Sequence, residues 1–469
     1  MHDFLLRMYR YLPASARSAA ASVYGAYLRS WRYGAETERL EQAALEREQW
    51  SAEQWMAWRQ ERLAYVLHRA ATSVPYYREQ WAARRRRGDR ASWEYLENWP
   101  VLEKEPLRTC PAALVADDCD VRRMFREHTS GTTGKPIVLW RSRETTAQLY
   151  ALAAVRTRAW YGLARKDRWA TLAGQLIVPV HQRKPPFWVW NAALKQLYMS
   201  SYHLAPDLIS YYLDALARYR IGYLCGYSSS LHALAHETLE LGRRDLQMAV
   251  VISNAEPIPE HQRQVIAEAF QCPVRETYGM AEIVVAASEC QEGRLHQWPE
   301  VGWIEVLDSD DQGVSDGDRG ELVCTGLLNA DMPLIRYRTG DCGRLTREAA
   351  VCRCGRTLPT IAGIDGRTND LLITGDGRRV YCPLSAILHG VPVRHAQVVQ
   401  VASDRLLVHF VPAQGFTGAA GRLMVERLQE RLGPMHVTLE PVAEVPRSAN
   451  GKFRAVMCSI PAAQRSLAR

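Results

Sequence analysis

Between residues 121 and 325, short runs rich in β-branched and other apolar residues (Ile137–Trp140, Ala249–Ile252, Val301–Leu307 and Glu321–Thr325) alternate with longer helical segments such as 207–220 and 259–270. Strands separated by helices cannot pair as hairpins, so the alternation selects α/β layering. The chain has 469 residues, roughly three times the usual ~150-residue domain, which leaves room for one large domain and a smaller one. With 47% hydrophobic and 23% charged residues, the composition excludes a disordered, collagen-like or coiled-coil chain.

The first hundred residues have a different texture. Glu-, Gln-, Arg- and Ala-rich stretches such as 36–69 read as helix and end at Ser73-Val74-Pro75-Tyr76-Tyr77, where the proline disfavours helix before it. Residues 17–32 form an amphipathic pattern that either docks on its own protein or touches a membrane surface. No stretch approaches the ~18 continuous apolar residues of a membrane span. Near the other end, Gly and Asp gather between Gly363 and Gly377 like a hinge, and about 100 residues follow. There Val398–Val401 and Leu406–Val411 read as strands, and 419–432 as a helix with Leu423, Leu428 and Leu432 inward.

The net charge of +8 suits a polyanionic small ligand but is too mild to name nucleic acid as a partner. Arg84–Arg87, the densest basic run, has no interleaved aromatic residues and reads as a solvated face or loop. Eleven cysteines in so long a chain do not form a disulfide scaffold, and a reducing cytoplasm is the expected home.

The densest chemical signal is Thr129-Ser130-Gly131-Thr132-Thr133-Gly134-Lys135-Pro136. Four hydroxyls, two glycines and a lysine within eight residues are what a polyphosphate-wrapping loop requires: converging N–H groups, further donors and one positive charge. The loop is not a Walker loop, because Gly131 and Gly134 are too close and Pro136 follows the lysine. A flexible Ser/Thr/Gly turn is the bland alternative.

This loop resembles the phosphate-binding loop of the adenylate-forming superfamily of acyl-CoA synthetases, luciferases and adenylation domains. Further segments match in order. Ser253-Asn254-Ala255-Glu256-Pro257 resembles the adenine-pocket segment, and Thr277-Tyr278-Gly279-Met280-Ala281-Glu282 the tyrosine and glutamate motif. The stretch from Pro333 to Asp341, PLIRYRTGD, is similar to the ribose motif; Gly366-Arg367-Thr368-Asn369-Asp370 is similar to the interdomain hinge, and Asn450-Gly451-Lys452 to the C-terminal lysine motif. SVPYY, PLIRYRTGD and the segment Cys352-Arg353-Cys354-Gly355-Arg356-Thr357 most resemble the phenylacetate-CoA ligase branch, and residues 11–34 its CapK-like members.

The resemblance implies an α/β fold in which a large ATP- and acyl-binding domain, residues 1–367 with a helical extension over about 1–100, precedes a small mobile α+β lid, residues 368–469. It implies an AMP-forming ligase that activates a carboxylic acid, of aryl or arylacetic type, as the acyl-adenylate and passes it to coenzyme A. An amine, a hydroxyl or a carrier-protein thiol is the alternative acceptor, and a non-catalytic nucleotide-binding scaffold is the alternative from another class. The implied ATP contacts are Thr129, Ser130, Gly131, Thr132, Thr133, Gly134, Lys135, Ala255, Glu256, Tyr278, Asp341 and Arg367. Glu282 is the implied Mg²⁺ ligand, Lys452 the implied catalytic lysine and Asn369 the hinge.

The sequence also departs from the pattern. Ala281 stands where many relatives carry Thr or Ser, Asn254 where glycine is common, and Asn369 where Asp or Lys is usual. Outside the ordered motifs, Cys290, His296, Cys352 and Cys354 offer three thiols and an imidazole suited to tetrahedral Zn²⁺, although Cys-x5-His and Cys-x-Cys are not the commonest spacings. Four protein ligands would make such a metal a staple; buried thiols and a satisfied histidine are the other reading. The acyl pocket is expected within 170–255, with Trp169, His203, Tyr227 and Ser228 as candidates.

Overall fold

The structure is a computed structural model that describes residue 9 and residues 12–128, 137–175, 177–179, 182–346, 352–367, 371–374, 379–381, 384–388, 390–446 and 453–460. The chain divides into two compact units, residues 1–339 with 343–363, and residues 340–342 with 364–469.

Helices open the larger unit: α1 (Ala14–Arg32), α2 (Thr37–Arg47), α3 (Ala52–Ser73) and α4 (Pro75–Arg86). The expected long helix over 36–69 is in fact two. The break falls at Ser51, whose side chain accepts from the Gln54 N–H while Gln54 reaches back to the Ser51 N–H, a capping box that starts a new helix. Pro75 occupies the first turn of α4, where its missing N–H costs nothing. The basic run ends α4 and is partly folded in: Arg84 donates to Asp89 and to the Asn98 carbonyl and lies over the Trp81 ring.

The hairpin β1 (Phe125–His128) and β2 (Val138–Arg141) flanks the phosphate-loop segment, which lies outside the described residues. Helix α5 (Lys104–Thr109) precedes it, and α6 (Arg143–Thr157), capped by Ser142, follows. The central sheet then forms from β3 (Trp169–Ala173), β4 (Trp188–Asn191), β5 (Gln196–Ser200), β6 (Tyr223–Gly226), β7 (Val250–Asn254), β8 (Val274–Gly279), β9 (Ala286–Glu289) and β10 (Leu295–Gln297). Its order is β10-β9-β8-β7-β6-β3-β5-β4, and β5-β3-β6-β7-β8 run parallel.

Helices α7 (Pro206–Tyr219), α8 (Ser228–Glu240) and α9 (Glu260–Phe270) supply the parallel connections. They seal one face of the sheet in a continuous apolar core that includes Leu172, Leu197, Leu224, Val251, Tyr212, Leu231 and Phe270. Full burial of each such side chain contributes about 1.5–3 kcal/mol. Helices α2, α3 and α6 share a second core with the far end of the sheet through Ala44, Trp55, Leu152, Ala286 and Cys290. Helix α1 docks against β4: Ser22 bonds the Trp190 carbonyl and the Ala192 N–H, and Gly25 admits the Asn191 side chain where a Cβ would collide. A third sheet, in order β11 (Gly302–Leu307), β12 (Gly320–Gly326), β13 (Tyr337–Leu345) and β14 (Ile361–Arg367), carries the PLIRYRTGD stretch into β13.

The smaller unit holds the pair β15 (Leu371–Ile373) and β16 (Arg379–Tyr381), helix α10 (Leu384–Leu388), and the sheet β19-β18-β17-β20 made of β17 (Val393–Ala402), β18 (Arg405–Pro412), β19 (His436–Pro441) and β20 (Val456–Cys458). Helix α11 (Gly418–Leu432) packs on this sheet through Met424, Leu428 and Leu432, while Leu423 stays only partly buried. Met424, not Leu423, completes the inward face. Among the described residues, no helix is long and apolar enough to cross a membrane.

Candidate active site and cysteine centre

Parallel α/β sheets bind ligands at the carboxyl ends of their strands. Two of the matched segments, 253–257 and 277–282, lie at such strand ends. At the end of β7 the chain turns sharply, with Ala255 in the left-handed region at φ 61°. Glu256 is buried, and its carboxylate accepts from the Ser229 N–H at 3.1 Å and the Ser228 hydroxyl at 3.3 Å. An acid at the amino end of α8 suits the positive end of the helix dipole. This bond braces the Ala255–Glu256 turn against α8, so the backbone of the turn is what faces outward.

The next parallel strand, β8, ends in Tyr278 and Gly279. A turn closed by the Ile283 N–H on the Met280 carbonyl delivers Glu282, and Ile283 itself sits at φ 53°. A β-branched residue in the left-handed region is strained, and such strain persists where the surroundings over-determine the geometry. Here the constraint is visible: Tyr337, fully buried, donates its hydroxyl to Glu282 Oε1 at 2.9 Å. The Arg141 guanidinium lies close enough to interact with the same carboxylate.

Behind Tyr337 the N-terminal helices support the same stretch. The buried Tyr77 hydroxyl donates to the Pro333 carbonyl and accepts from the Ile335 N–H, both at 3.1 Å. Arg336 donates to the Trp99 carbonyl and pairs with Glu305, and Arg338 pairs with Glu103, Asp311 and Glu321. Both arginines hold the loop in place. Asp341 lies buried on β13, and Arg367 ends β14. Thr129–Pro136, Asn369 and Lys452 lie outside the described residues.

Of the residues considered for an acyl pocket, His203 is spoken for: its ring nitrogens meet Ser200 Oγ at 2.8 Å and the Pro179 carbonyl at 3.1 Å, and Phe187 stacks on it. Trp169 stacks on Tyr223 with ring centroids 5.4 Å apart, and Ser228 bonds the Pro257 carbonyl.

Cys290, His296, Cys352 and Cys354 do converge, with all ligand atoms within 4.8 Å of one another. Cys290 Sγ and Cys352 Sγ are 3.7 Å apart, and Cys354 Sγ is 3.4 Å from His296 Nε2. Zn–S bonds of about 2.3 Å in a tetrahedron give edges of about 3.8 Å, so the set has the right size for zinc. His296 Nδ1 bonds the Leu358 carbonyl at 3.0 Å, which turns the lone pair of Nε2 toward the sulfurs. Burial pushes the Cys290 thiol up to about 12. Burial acts the same way on Cys354, but the backbone N–H and guanidinium of Arg356 outweigh it and lower that thiol.

A buried ion network adjoins this centre, and no motif announced it. Glu48, just after α2, accepts from Trp160 Nε1 and Arg356 Nε, both at 2.9 Å, and its carbonyl accepts from Thr357. Arg156, fully buried, donates to both oxygens of Glu300, which also pairs with Arg47. Burial alone would raise the Glu300 carboxyl; the two guanidiniums hold it below the usual carboxylate range.

Comparison with known proteins agrees with this architecture. The chain matches the AMP-binding enzyme family over residues 57–331 and the CapK C-terminal domain over residues 372–459. It is 28% identical to the protein CapK of Staphylococcus aureus over 62% of this chain and 64% of that protein. It is 28% identical to the phenylacetate-coenzyme A ligase of Thermus thermophilus over 86% of this chain and 96% of that one. A crystal structure of 2-hydroxyisobutyryl-CoA ligase in the postadenylation state shares the fold, with a TM-score of 0.66 at 23% identity over 90% of this chain and 93% of that one. The chain belongs to the AMP-binding enzyme family and is an AMP-forming ligase of its phenylacetate-CoA-ligase-like and CapK-like branch.

Proposed function

We propose that the protein activates a carboxylic acid with ATP, forming an acyl-adenylate and releasing pyrophosphate, and then transfers the acyl group to coenzyme A. The observation that carries this reading is the Tyr337–Glu282 bond, which joins two separate matched segments and fixes the carboxylate between them. A carboxylate oxygen of the substrate attacks the α-phosphorus as the bond to the bridging oxygen of pyrophosphate breaks. Two anions must meet, so charge has to be offset at the phosphates. Glu282 would hold Mg²⁺, which supplies that neutralisation. Thr129–Lys135 would wrap the phosphates, Asp341 and Arg367 would serve the ribose side, and Tyr278 with the Ala255–Glu256 turn would flank adenine. Lys452 would bridge carboxylate and phosphate, carried on a 368–469 lid that moves about Asn369.

The ligase from Thermus, matched over most of both chains, supports an aryl or arylacetic acid and coenzyme A. The CapK C-terminal domain match favours a second reading, in which that domain presents an amine, hydroxyl or carrier-protein acceptor instead. The deciding experiment measures pyrophosphate release from Mg·ATP across aryl, arylacetic, fatty and amino acids, with and without coenzyme A. Acid-dependent release abolished by Lys452→Ala, with ATP binding retained, is the expected result. Unchanged adenylation in that variant would sink the lysine's role, and indifference to coenzyme A with stimulation by an amine would favour the second acceptor.

The dimensions of the cysteine centre support structural Zn²⁺ there. Elemental analysis of the purified chain would give about one zinc per chain, and Cys352→Ser would lose it; a metal-free, fully folded chain would overturn this assignment.

A further inference from the structure

The two faces of the central sheet are unlike. One is the apolar core beneath α7, α8 and α9. Strands of a parallel sheet buried on both faces normally carry aliphatic side chains on both. The opposite face carries its own small apolar cluster, Tyr223 and Cys225 on β6 with Val250 and Ile252 on β7, but at the end of β7 it turns polar, with Asn254 on β7, Thr277 on β8 and Ser288 on β9. Asn254, Thr277 and Ser288 stand in direct register across three strands.

Asn254 is the last residue of β7, next to the Ala255–Glu256 turn. Its amide Nδ2 donates to Cys225 Sγ at 3.2 Å, which turns Oδ1 away from the strand pair. That oxygen is buried and has no hydrogen-bond partner among the described residues, and the same holds for Ser288 Oγ, whose residue is 1% exposed. Other buried acceptors of the described residues also lack a donor, Gln196 Oε1, Gln262 Oε1 and Asn329 Oδ1 among them, but Asn254 Oδ1 stands in a segment matched to the nucleotide- and acyl-binding motifs, where a ligand can bring the donor. The residue that follows, Ala255, is exposed, whereas Asn254 is only partly so. Glycine at this position would remove the amide acceptor.

We infer that Asn254 is a specificity-determining residue and that the acid activated here carries a hydrogen-bond donor, a hydroxyl or amino group, that meets Asn254 Oδ1. The inference rests on the adenylation reading and narrows its substrate. Cys225 acts as a positioning residue by holding the amide. A site built around a buried acceptor rejects the analogue that lacks the donor, because the acceptor is then left dry and unpaired.

The test uses the full-length protein and matched pairs of acids: phenylacetate with 4-hydroxyphenylacetate, benzoate with its hydroxy and amino derivatives, and butyrate with 3-hydroxybutyrate. For each pair the ratio of kcat/KM for pyrophosphate release is measured. At least one donor-bearing acid is expected to be preferred over its plain partner by about a hundredfold or more. Asn254→Gly is expected to bring that ratio to within about tenfold. Asn254→Ser, which keeps a hydroxyl, and Cys225→Ser, which keeps a partner for the amide, are expected to retain more of it. A preference for plain acids, or a ratio that does not move in a folded Asn254→Gly protein, overturns the inference while leaving adenylation intact. A chain that binds Mg·ATP in calorimetry yet releases no pyrophosphate with any acid overturns the ligase reading, and this inference with it.

Discussion

The hydroxyl of Tyr337 donates to Glu282 Oε1 at 2.9 Å, linking the first residue of β13 to the strained turn that follows β8. The bond fixes one carboxylate oxygen; on the proposed reading the other would serve Mg²⁺. Removing it in Tyr337→Phe frees the carboxylate to rotate and costs about 1 kcal/mol of stability. The expected kinetic signature is a several-fold rise in the Mg²⁺ concentration needed for half-maximal pyrophosphate release, read from a magnesium titration at fixed ATP.

Tyr77→Phe removes both the donor to Pro333 and the acceptor for Ile335 in a buried setting. The loss leaves a dry carbonyl and a dry N–H, at a cost of about 2 kcal/mol. Denaturant unfolding of the larger unit should show a lower midpoint with an unchanged slope.

Glu48→Ala strips a buried acceptor from Arg356 and Trp160 at once. Breaking a buried pair from one side costs about 3–5 kcal/mol, because the remaining charge is uncompensated. Helices α2 and α3, tied to the Cys352–Thr357 segment through Glu48 and Trp50, should then become the first sites cut in limited proteolysis.

Glu276 supplies the pH dependence. Burial, reinforced by the neighbouring Glu289 and opposed by Arg263, pushes its carboxyl up to about 7. The folded state therefore holds a proton that the unfolded chain has released above about 4.5. Its stabilising contribution is complete below that value and is lost as pH rises through about 7. Glu276→Gln should melt about 2 °C above the parent at pH 8, and the difference should vanish near pH 4.5. A gap that is the same at both pH values would show that Glu276 is ionised throughout.

Chelation offers a separate readout at the cysteine centre. A strong chelator under mild denaturant should release zinc and lower the melting temperature, while Cys110, exposed and far from the set in sequence, remains irrelevant to metal content when changed to Ser. Equal metal loss from Cys110→Ser and Cys354→Ser would contradict a specific site.

Much was legible in the residues before any fold was known, because ligand-binding loops and turns depend on local chemistry. The Gly/Ser/Thr loop at 129–136, which lies outside the described residues, the Tyr278–Glu282 turn and the PLIRYRTGD stretch announce a family resemblance by residue type and order, and most of the few strands and helices named from the sequence fall within a residue or two of those in the structure. The same local logic brought Cys290, His296, Cys352 and Cys354 forward as one set, though spacing alone left a metal and mere burial equally open. Only the tertiary structure decided the rest. Tyr77 reads as one aromatic among many until packing sets its hydroxyl between Pro333 and Ile335. Glu48, Arg156 and Glu300 lie up to 252 positions apart and become a network only when α2, α6 and the segment before β11 meet. Asn254 reads as a mere departure from a pattern until the sheet shows its oxygen buried and unmet. Local chemistry is written in neighbouring residues, but hydrogen-bond satisfaction and burial depend on which distant side chains arrive, and no short stretch of sequence contains that information.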